Sequence, residues 1–305
     1  MTPNDRITAA ANAALVLYAW DMCNADFDLP TPPLDPRIQA AGWKVLGYFI
    51  GNDNILTPTN DDPSGKKHRL SCDLNKQVCY GYLACNASNE YIAAIRGTDG
   101  AEEWLDDCAF LHKIPQSPLQ GKVDSGFYDI FNSLHYQAID NTATARLANG
   151  IADVIQNNPI TVLGHSLGSV LATYLCAELT ALCNPQQIST CLFASPKPGD
   201  KDFASYFEQL NINYQIFNYK SDIVPDLPPL GYSALNNITL LKADPATSNI
   251  QVSARKACCH HLTTYIALLN ISLFEQILAS PEATQDDHTC ATCVTLNKVN
   301  DMVMT

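Results

Sequence analysis

The sequence predicts an α/β fold, a single domain over residues 1–305 built on a mostly parallel sheet with helices on both faces. Three observations predict it. From residue 160 onward short apolar runs alternate with helical patterns, which is how parallel strands and their crossover helices read. The run at 160–163 reads as a buried strand, as a sheet covered on both faces requires. A chain of 305 residues with 47% hydrophobic content also buries a sizeable core without help from disulfides or metals.

The elements follow in order. Residues 7–20 (ITAAANAALVLYAW) are apolar enough to pose as a secretory signal. Only Arg6 precedes them, offset by Asp5, and no small-x-small cleavage site follows, so they read as a first core helix. With no such signal visible, the expected location is cytoplasmic or reached by a route other than Sec. Pro30, Pro32, Pro33 and Pro36 mark an irregular crossing, and residues 58–67 a second loop rich in Asn, Asp, Pro and Gly. β-like runs come next at 68–73, 78–85 and 91–96. Phe127, Ile130, Phe131 and Leu134 recur at i, i+3, i+4 and i+7, opening a helical region that the pattern carries to about residue 157. Then come a buried strand at 160–163, a helix at 169–182, a strand at 188–194, a helix around 203–210 and a strand at 214–218. A final helix covers 262–279, and a polar, loosely attached tail is expected over about 280–305.

Charge and cysteines exclude several classes. With 18 basic against 31 acidic residues, a formal net charge of -13, the chain has no general attraction to nucleic acid or anionic lipid surfaces. No window approaches the roughly 18 consecutive apolar residues of a membrane span. Neither a nucleic-acid partner nor an integral membrane segment is expected. Twelve cysteines, including the adjacent Cys258 and Cys259, give no readable disulfide framework. His288, Cys290 and Cys293 (H-T-C-A-T-C) contain a lone C-x-x-C without a second ligand pair at zinc spacing, so no metal is expected.

The chemistry centres on Gly164-His165-Ser166-Leu167-Gly168, which follows the run ITVL and opens the helical pattern SVLATYLCAEL. A sharp strand-to-helix turn lifts a serine hydroxyl above the sheet edge, and small residues two before and two after keep that turn from clashing. The backbone N–H of Leu167 then points, with the helix N-terminus, at negative charge forming on a substrate oxygen. Such a serine needs a base and the base an orienter, in the chain order Ser, acid, His. Asp222 falls at or just past the end of the strand YQIFN, where sites of open α/β sheets collect; Asp226 and Asp200 are rivals. Three histidines lie beyond it, His260, His261 and His288, the first two directly before the last helix.

Further motifs carry a resemblance. Ile95-Arg96-Gly97-Thr98, Glu103-Trp104-Leu105 with Asp107, and Gly126-Phe127 are followed by Ala194-Ser195-Pro196-Lys197-Pro198-Gly199-Asp200 with Phe203-Ala204. Asp222-Ile223-Val224-Pro225 with Leu227-Pro228-Pro229 and His260-His261-Leu262-Thr263-Thr264-Tyr265 complete the series. Over roughly residues 92–265 the chain resembles the class 3 (fungal-type) lipase family of the α/β-hydrolase superfamily. It departs from the family's usual histidine before G-F, where Asp124 stands. The resemblance implies an α/β-hydrolase fold with a short helical lid, a triad of Ser166, Asp222 and His260, and an oxyanion hole of Thr98 and Leu167. It favours Asp222 over its rivals, and His260 over His261.

The lid segment, about 99–110, has its own pattern. Ala101, Trp104, Leu105 and Cys108 share one helical face; Glu102, Glu103, Asp106 and Asp107 share the other. So short a helix is marginal alone in water. A mobile lid whose Trp104 and Leu105 face turns toward lipid when open is the expectation; a fixed surface helix with Trp104 in the core is the alternative. The implied function is serine-dependent hydrolysis of carboxylic esters, acylglycerols first, with no cofactor and with a lipid or other ester as partner at a lipid–water interface. Phospholipase A1 or feruloyl-type esterase activity is the rival on the same scaffold, and a catalytically inactive binding protein the remote one. Oligomeric state is not legible.

Overall fold

Thr2 and Asp5 exchange hydrogen bonds across the first turn of a helix that starts at Pro3, a capping box. The structure is a computed structural model describing residues 2–26, 29–52, 76–98, 110–243 and 250–296. This first helix, α1 (Pro3–Ala25), is buried from Ala9 to Cys23 along the face that meets the sheet, so the apolar stretch at 7–20 is a core helix. After α2 (Pro36–Ala40) come three strands, β1 (Lys44–Asn52), β2 (Gln77–Cys85) and β3 (Tyr91–Ile95). The strand expected at 68–73 lies outside the described residues.

The helical region expected over 127–157 is corrected by the structure. A two-strand edge, β4 (His112–Lys113) and β5 (Val123–Asp124), leads into α3 (Ser125–Ser133), which carries the apolar rhythm. Leu134 then turns extended and the chain forms β6 (His135–Ala138) and β7 (Thr144–Arg146) before α4 (Leu147–Ile155). The reason is long-range pairing. β6 joins β1 in antiparallel register, Gly47 opposite Ala138 and Ile50 opposite His135, and ladder hydrogen bonds to a distant strand outweigh local periodicity. Between β6 and β7, Asn141 Oδ1 accepts the Ala143 N–H at 2.9 Å and turns the chain.

From residue 160 to 219 the chain alternates as its pattern predicts: β8 (Ile160–His165), α5 (Leu167–Leu179), β9 (Ile188–Phe193), α6 (Lys201–Gln209) and β10 (Asn213–Tyr219). Two strands the pattern did not mark, β11 (Ile238–Leu241) and β12 (Ile250–Val252), follow. The final helix at 262–279 is three elements instead of one. α7 (Lys256–His260) precedes α8 (Leu262–Leu269), and Asn270, extended at φ -154°, separates α8 from α9 (Ile271–Ala279) while its side chain caps Leu273 N–H. The polar segment beyond 280 is anchored rather than loose as far as Leu296. It forms α10 (Gln285–Ala291) and β13 (Val294–Leu296), pairs with β12, and is tied by a Cys258–Cys293 disulfide. Asp287 also meets the buried Arg37 guanidinium at 2.9 Å.

Among the described residues the main sheet has nine strands in the order β11-β10-β9-β8-β3-β2-β1-β6-β7. It is parallel from β11 to β3 and antiparallel from β3 to β7. α3, α4, α5 and α6 cover one face through Phe127, Ile151, Leu171 and Phe203. α1, α8 and α9 cover the other through Val16, Ile266 and Phe274. Each such buried side chain contributes about 1.5–3 kcal/mol, which fixes the sheet as the frame for the loops at its carboxyl edge. No helix among the described residues is long and apolar enough to cross a membrane.

Candidate active site

β8 ends at His165 and α5 begins at Leu167, so Ser166 alone turns the chain. Its backbone sits at φ 56°, ψ -129°, a conformation costing a non-glycine residue about 1–3 kcal/mol. Close packing maintains it. A Cβ on Gly164 would come within 2.3 Å of Gly168 O, and one on Gly168 within 2.4 Å of both Ile95 O and Arg96 O. Ser166 N–H donates to Phe193 O at 3.0 Å, pinning the turn to β9. Leu167 is the first residue of α5, so its N–H is one of the donors a helix leaves unpaired at its start.

His260, at the end of α7, and Asp222, three residues past β10, converge on that serine. His260 Nε2 lies 2.9 Å from Ser166 Oγ, and His260 Nδ1 lies 2.9 Å from Asp222 Oδ2. An ionised carboxylate only accepts, so the Nδ1 side carries the imidazole proton and Nε2 is left to accept from the serine hydroxyl. Asp222 is held on all sides. Its Oδ2 also accepts from Tyr265 OH at 2.7 Å, its Oδ1 from Val224 N–H at 2.9 Å, and Tyr265 OH in turn accepts from Tyr219 N–H at 2.9 Å. All three of Ser166, Asp222 and His260 are buried.

The rivals are elsewhere. Asp200 caps α6 through Phe203 N–H at 2.9 Å and accepts Lys122 N–H at 3.0 Å. Asp226 sits in the turn after Asp222, where its main-chain carbonyl accepts from Lys197 Nζ. His261 faces Cys290 Sγ at 3.4 Å, and His288 is exposed on α10. Asp124, the departure from the family motif, is a buried structural group. Its Oδ1 caps Gly126 and Phe127 N–H and its Oδ2 accepts from Tyr232 OH at 3.0 Å, while burial raises its carboxyl above the usual range. Trp104 and Leu105 lie outside the described residues.

Thr98 follows the end of β3. Gly97 beside it packs so tightly on the elbow that a Cβ there would lie 3.2 Å from Ser166 Cβ. Arg96 fixes this strand end by donating from Nε to Cys79 O at 2.8 Å and from a terminal nitrogen to Gly97 O at 2.9 Å. The Thr98 hydroxyl is buried and, among the described residues, has no hydrogen-bond partner. A buried hydroxyl left unmade costs about 1–3 kcal/mol, which makes it available to a substrate oxygen.

Two contributors escaped the sequence reading. His165, buried, directs Nε2 to His260 O at 2.9 Å with the two rings 4.8 Å apart; burial, then the neighbouring His260, hold its pKa well below the usual histidine range. Tyr265 supports Asp222 as described. His165 occupies the variable position of the G-x-S-x-G string, the only signal for it. No group of three His, Cys, Asp or Glu among the described residues is placed to hold a metal ion. A serine hydroxyl, an imidazole accepting from it and a carboxylate behind that imidazole can form and break an acyl–oxygen bond.

Comparisons with known proteins agree in kind. Residues 92–232 match the family model for lipase (class 3). Phospholipase A1-II 7 of Oryza sativa subsp. indica is 30% identical over 192 residues, 50% of this chain and 46% of that protein. A lipase of Rhizopus niveus is 25% identical over 251 residues, 78% of this chain and 57% of that protein. The chain thus spans about half the length of these curated relatives. A deletion mutant of Rhizomucor miehei lipase in its propeptide complex superposes with TM-score 0.58 at 18% identity, over 93% of this chain and 80% of that one, a likeness of fold. Over residues 92–232 the chain is thus similar to the class 3 lipase family, and its α/β fold is that of the fungal lipases.

Proposed function

We propose that this chain hydrolyses carboxylic esters of lipids, acylglycerols first, through an acyl-enzyme on Ser166. The observation that carries the reading is the unbroken hydrogen-bonded line from Ser166 Oγ through His260 to Asp222, 2.9 Å at each step. In the proposed reaction His260 Nε2 takes the serine proton as Oγ attacks the ester carbonyl, and Asp222 steadies the imidazolium. The oxyanion is received by the backbone N–H groups of Thr98 and Leu167 and by the Thr98 hydroxyl; one such donor is worth about 3–4 kcal/mol of barrier in a serine protease. His260 returns the proton to the leaving alcohol, and water, activated by the same imidazole, releases the acid. The chain's own groups suffice for each of these proton transfers.

Two observations support a lipid over a small soluble ester. Leu111, Ile114 and Leu230 are 62%, 77% and 86% exposed. Their segments are joined by bridges from Val123 to Gly199 and from Gly199 to Ser233 on loops at the sheet's carboxyl edge, where Ser166 also lies. Apolar side chains grouped at such an edge fit an acyl chain or a lipid surface. The relatives at 25–30% identity are, by name, a lipase and a phospholipase A1, so phospholipid is the second substrate class to test.

The test is hydrolysis of p-nitrophenyl esters from butyrate to palmitate by wild type and Ser166→Ala, followed by emulsified triacylglycerol and phosphatidylcholine with release at sn-1 followed. Rates that rise with acyl length and vanish in Ser166→Ala support the lipid reading, and the two emulsions separate lipase from phospholipase A1. Activity confined to short or aryl esters, feruloyl esters included, replaces it with an esterase. Absence of labelling by a fluorophosphonate probe at Ser166 overturns the enzyme reading in favour of a binding protein.

A further inference from the structure

Four cysteines gather beside His260, far more than the ester chemistry uses. Cys258, two residues before His260 on α7, is bonded to Cys293, which lies between α10 and β13. Cys290 is a free, half-buried thiol three residues before Cys293, and Cys293 N–H donates to Cys290 O at 3.0 Å. That hydrogen bond closes a turn. Turns of this kind keep the first and fourth Cα within about 7 Å, overlapping the roughly 4.4–6.8 Å that a disulfide needs. On its other side Cys290 Sγ lies 3.4 Å from His261 Nδ1, a base able to take its proton. Cys259 is instead buried and turned to Ser253 O at 3.6 Å, and Cys176 and Cys191 lie in the core.

We propose that Cys258, Cys290 and Cys293 form a thiol–disulfide exchange site, in which Cys290 displaces Cys258 from Cys293 and so unclips the helix that carries His260. The step balances without an outside oxidant or reductant. Cys290 gives its proton to His261 and attacks Cys293 Sγ; the Cys258–Cys293 bond breaks, the Cys290–Cys293 bond forms, and the departing Cys258 thiolate takes up the proton. The reverse exchange, the Cys258 thiolate attacking Cys293 Sγ and releasing Cys290, restores the first pairing with the same balance.

The groups around the site hold it in the clipped state. Burial, then the carboxylates of Asp286, Asp287 and Asp21, push the Cys290 thiol up to about 12, so little attacking thiolate is present at neutral pH. The Arg255 guanidinium lies 4.0 Å from Cys293 Sγ, and His261 Nδ1 faces the Cys290 thiol. Exchange therefore quickens as pH rises, close to tenfold per unit below the thiol's pKa. Unclipping matters because α7 has only five residues, too few to stand as a helix by themselves. Its backbone is then held by the His165 contact to the His260 carbonyl and by Thr264 Oγ1 on Cys258 O at 2.7 Å, and the His260 ring by Asp222 and Ser166.

The experiment incubates the full chain in glutathione buffer at pH 7, 8 and 9, blocks thiols with iodoacetamide, and maps the linked peptides by mass spectrometry. p-Nitrophenyl butyrate hydrolysis is assayed alongside. The expected result is a Cys290–Cys293 peptide with alkylated Cys258, growing with pH, and a several-fold fall in rate that tracks its fraction. Cys290→Ser should keep Cys258–Cys293 and its rate under the same treatment. If Cys258 is found only bonded to Cys293, or free only when Cys290 and Cys293 are both reduced, the exchange is overturned. A rate unchanged where the Cys290–Cys293 peptide dominates overturns the unclipping. The loss of activity rests on the proposed ester hydrolysis; the peptide map does not, so failure of one is distinguishable from failure of the other.

Discussion

His165 Nε2 sits 2.9 Å from the carbonyl oxygen of His260, so the neighbour of Ser166 holds the backbone of the histidine whose Nε2 faces the Ser166 hydroxyl. A carbonyl only accepts, so Nε2 carries the proton and the ring is neutral, in keeping with a pKa held well below the usual value by burial. A second cation 4.8 Å from His260 would oppose formation of an imidazolium there, and the neutral ring avoids that. His165→Phe keeps the ring volume and removes the donor. We expect kcat to fall about tenfold, the equivalent of one hydrogen bond of about 1.4 kcal/mol, with KM little changed. An unchanged kcat in a folded variant would mean the contact is only packing.

Protonation should show in stability through two groups of opposite sign. Below pH 6.5 the unfolded chain protonates His165 more readily than the folded chain does, so stability falls as pH drops through this group. Asp21 runs the other way. It lies on the buried Arg37 guanidinium with Asp35 and Asp287, and burial, then Asp287, raise its pKa to about 7. Between about pH 4 and 7 the folded state keeps a proton that the unfolded state has lost, so stability falls as pH rises through that window and the loss is complete above it. Over about three units this amounts to as much as roughly 4 kcal/mol. In the wild type the two slopes oppose each other between about pH 4 and 6.5. Asp21→Asn resembles the protonated group, and urea unfolding should find it close to wild type at pH 5 and more stable by a few kcal/mol at pH 8. A constant difference across that range would refute the assignment.

The elbow and the order of its partners were legible because each is a short string at fixed spacing next to an apolar strand. The places that misled share another cause: their partners are far away in the chain. Residues 135–138 read as helix until β1, some ninety positions earlier, offers its edge. The segment from 280 reads as a loose tail because Arg37 and Cys258, which hold Asp287 and Cys293, leave no local pattern. Asn270 was a visible signal, since an asparagine between two apolar runs can end one helix and cap the next. His165 was named within its motif, but its partner is a backbone carbonyl, and carbonyls have no sequence signature.

Gly168 is required by space. Its missing Cβ would stand 2.4 Å from two main-chain oxygens, Ile95 O and Arg96 O, neither of which belongs to a flexible side chain. Gly168→Ala must therefore part α5 from the end of β3, moving the Leu167 N–H and Thr98 relative to Ser166. Overpacking of this kind costs about 1–3 kcal/mol of stability. We expect a folded protein by circular dichroism with kcat down at least a hundredfold and fluorophosphonate labelling slowed in parallel. Wild-type turnover in this variant would show that the tight turn is a feature of folding alone.

Thr98 separates stability from catalysis most sharply. Its hydroxyl is buried, and among the described residues no partner offsets the cost of desolvating it. Thr98→Val removes the hydroxyl and keeps the shape, and we expect a melting temperature equal to or above that of wild type. If the hydroxyl receives the oxyanion beside Leu167 N–H, the same variant should lose about 10²–10³ in kcat with KM unchanged, and Thr98→Ser should recover most of it. An unimpaired Thr98→Val would leave the backbone amides as the whole oxyanion site. A variant that loses stability and rate together would instead mean that the hydroxyl has a partner in the folded protein, and that its availability to substrate is an error.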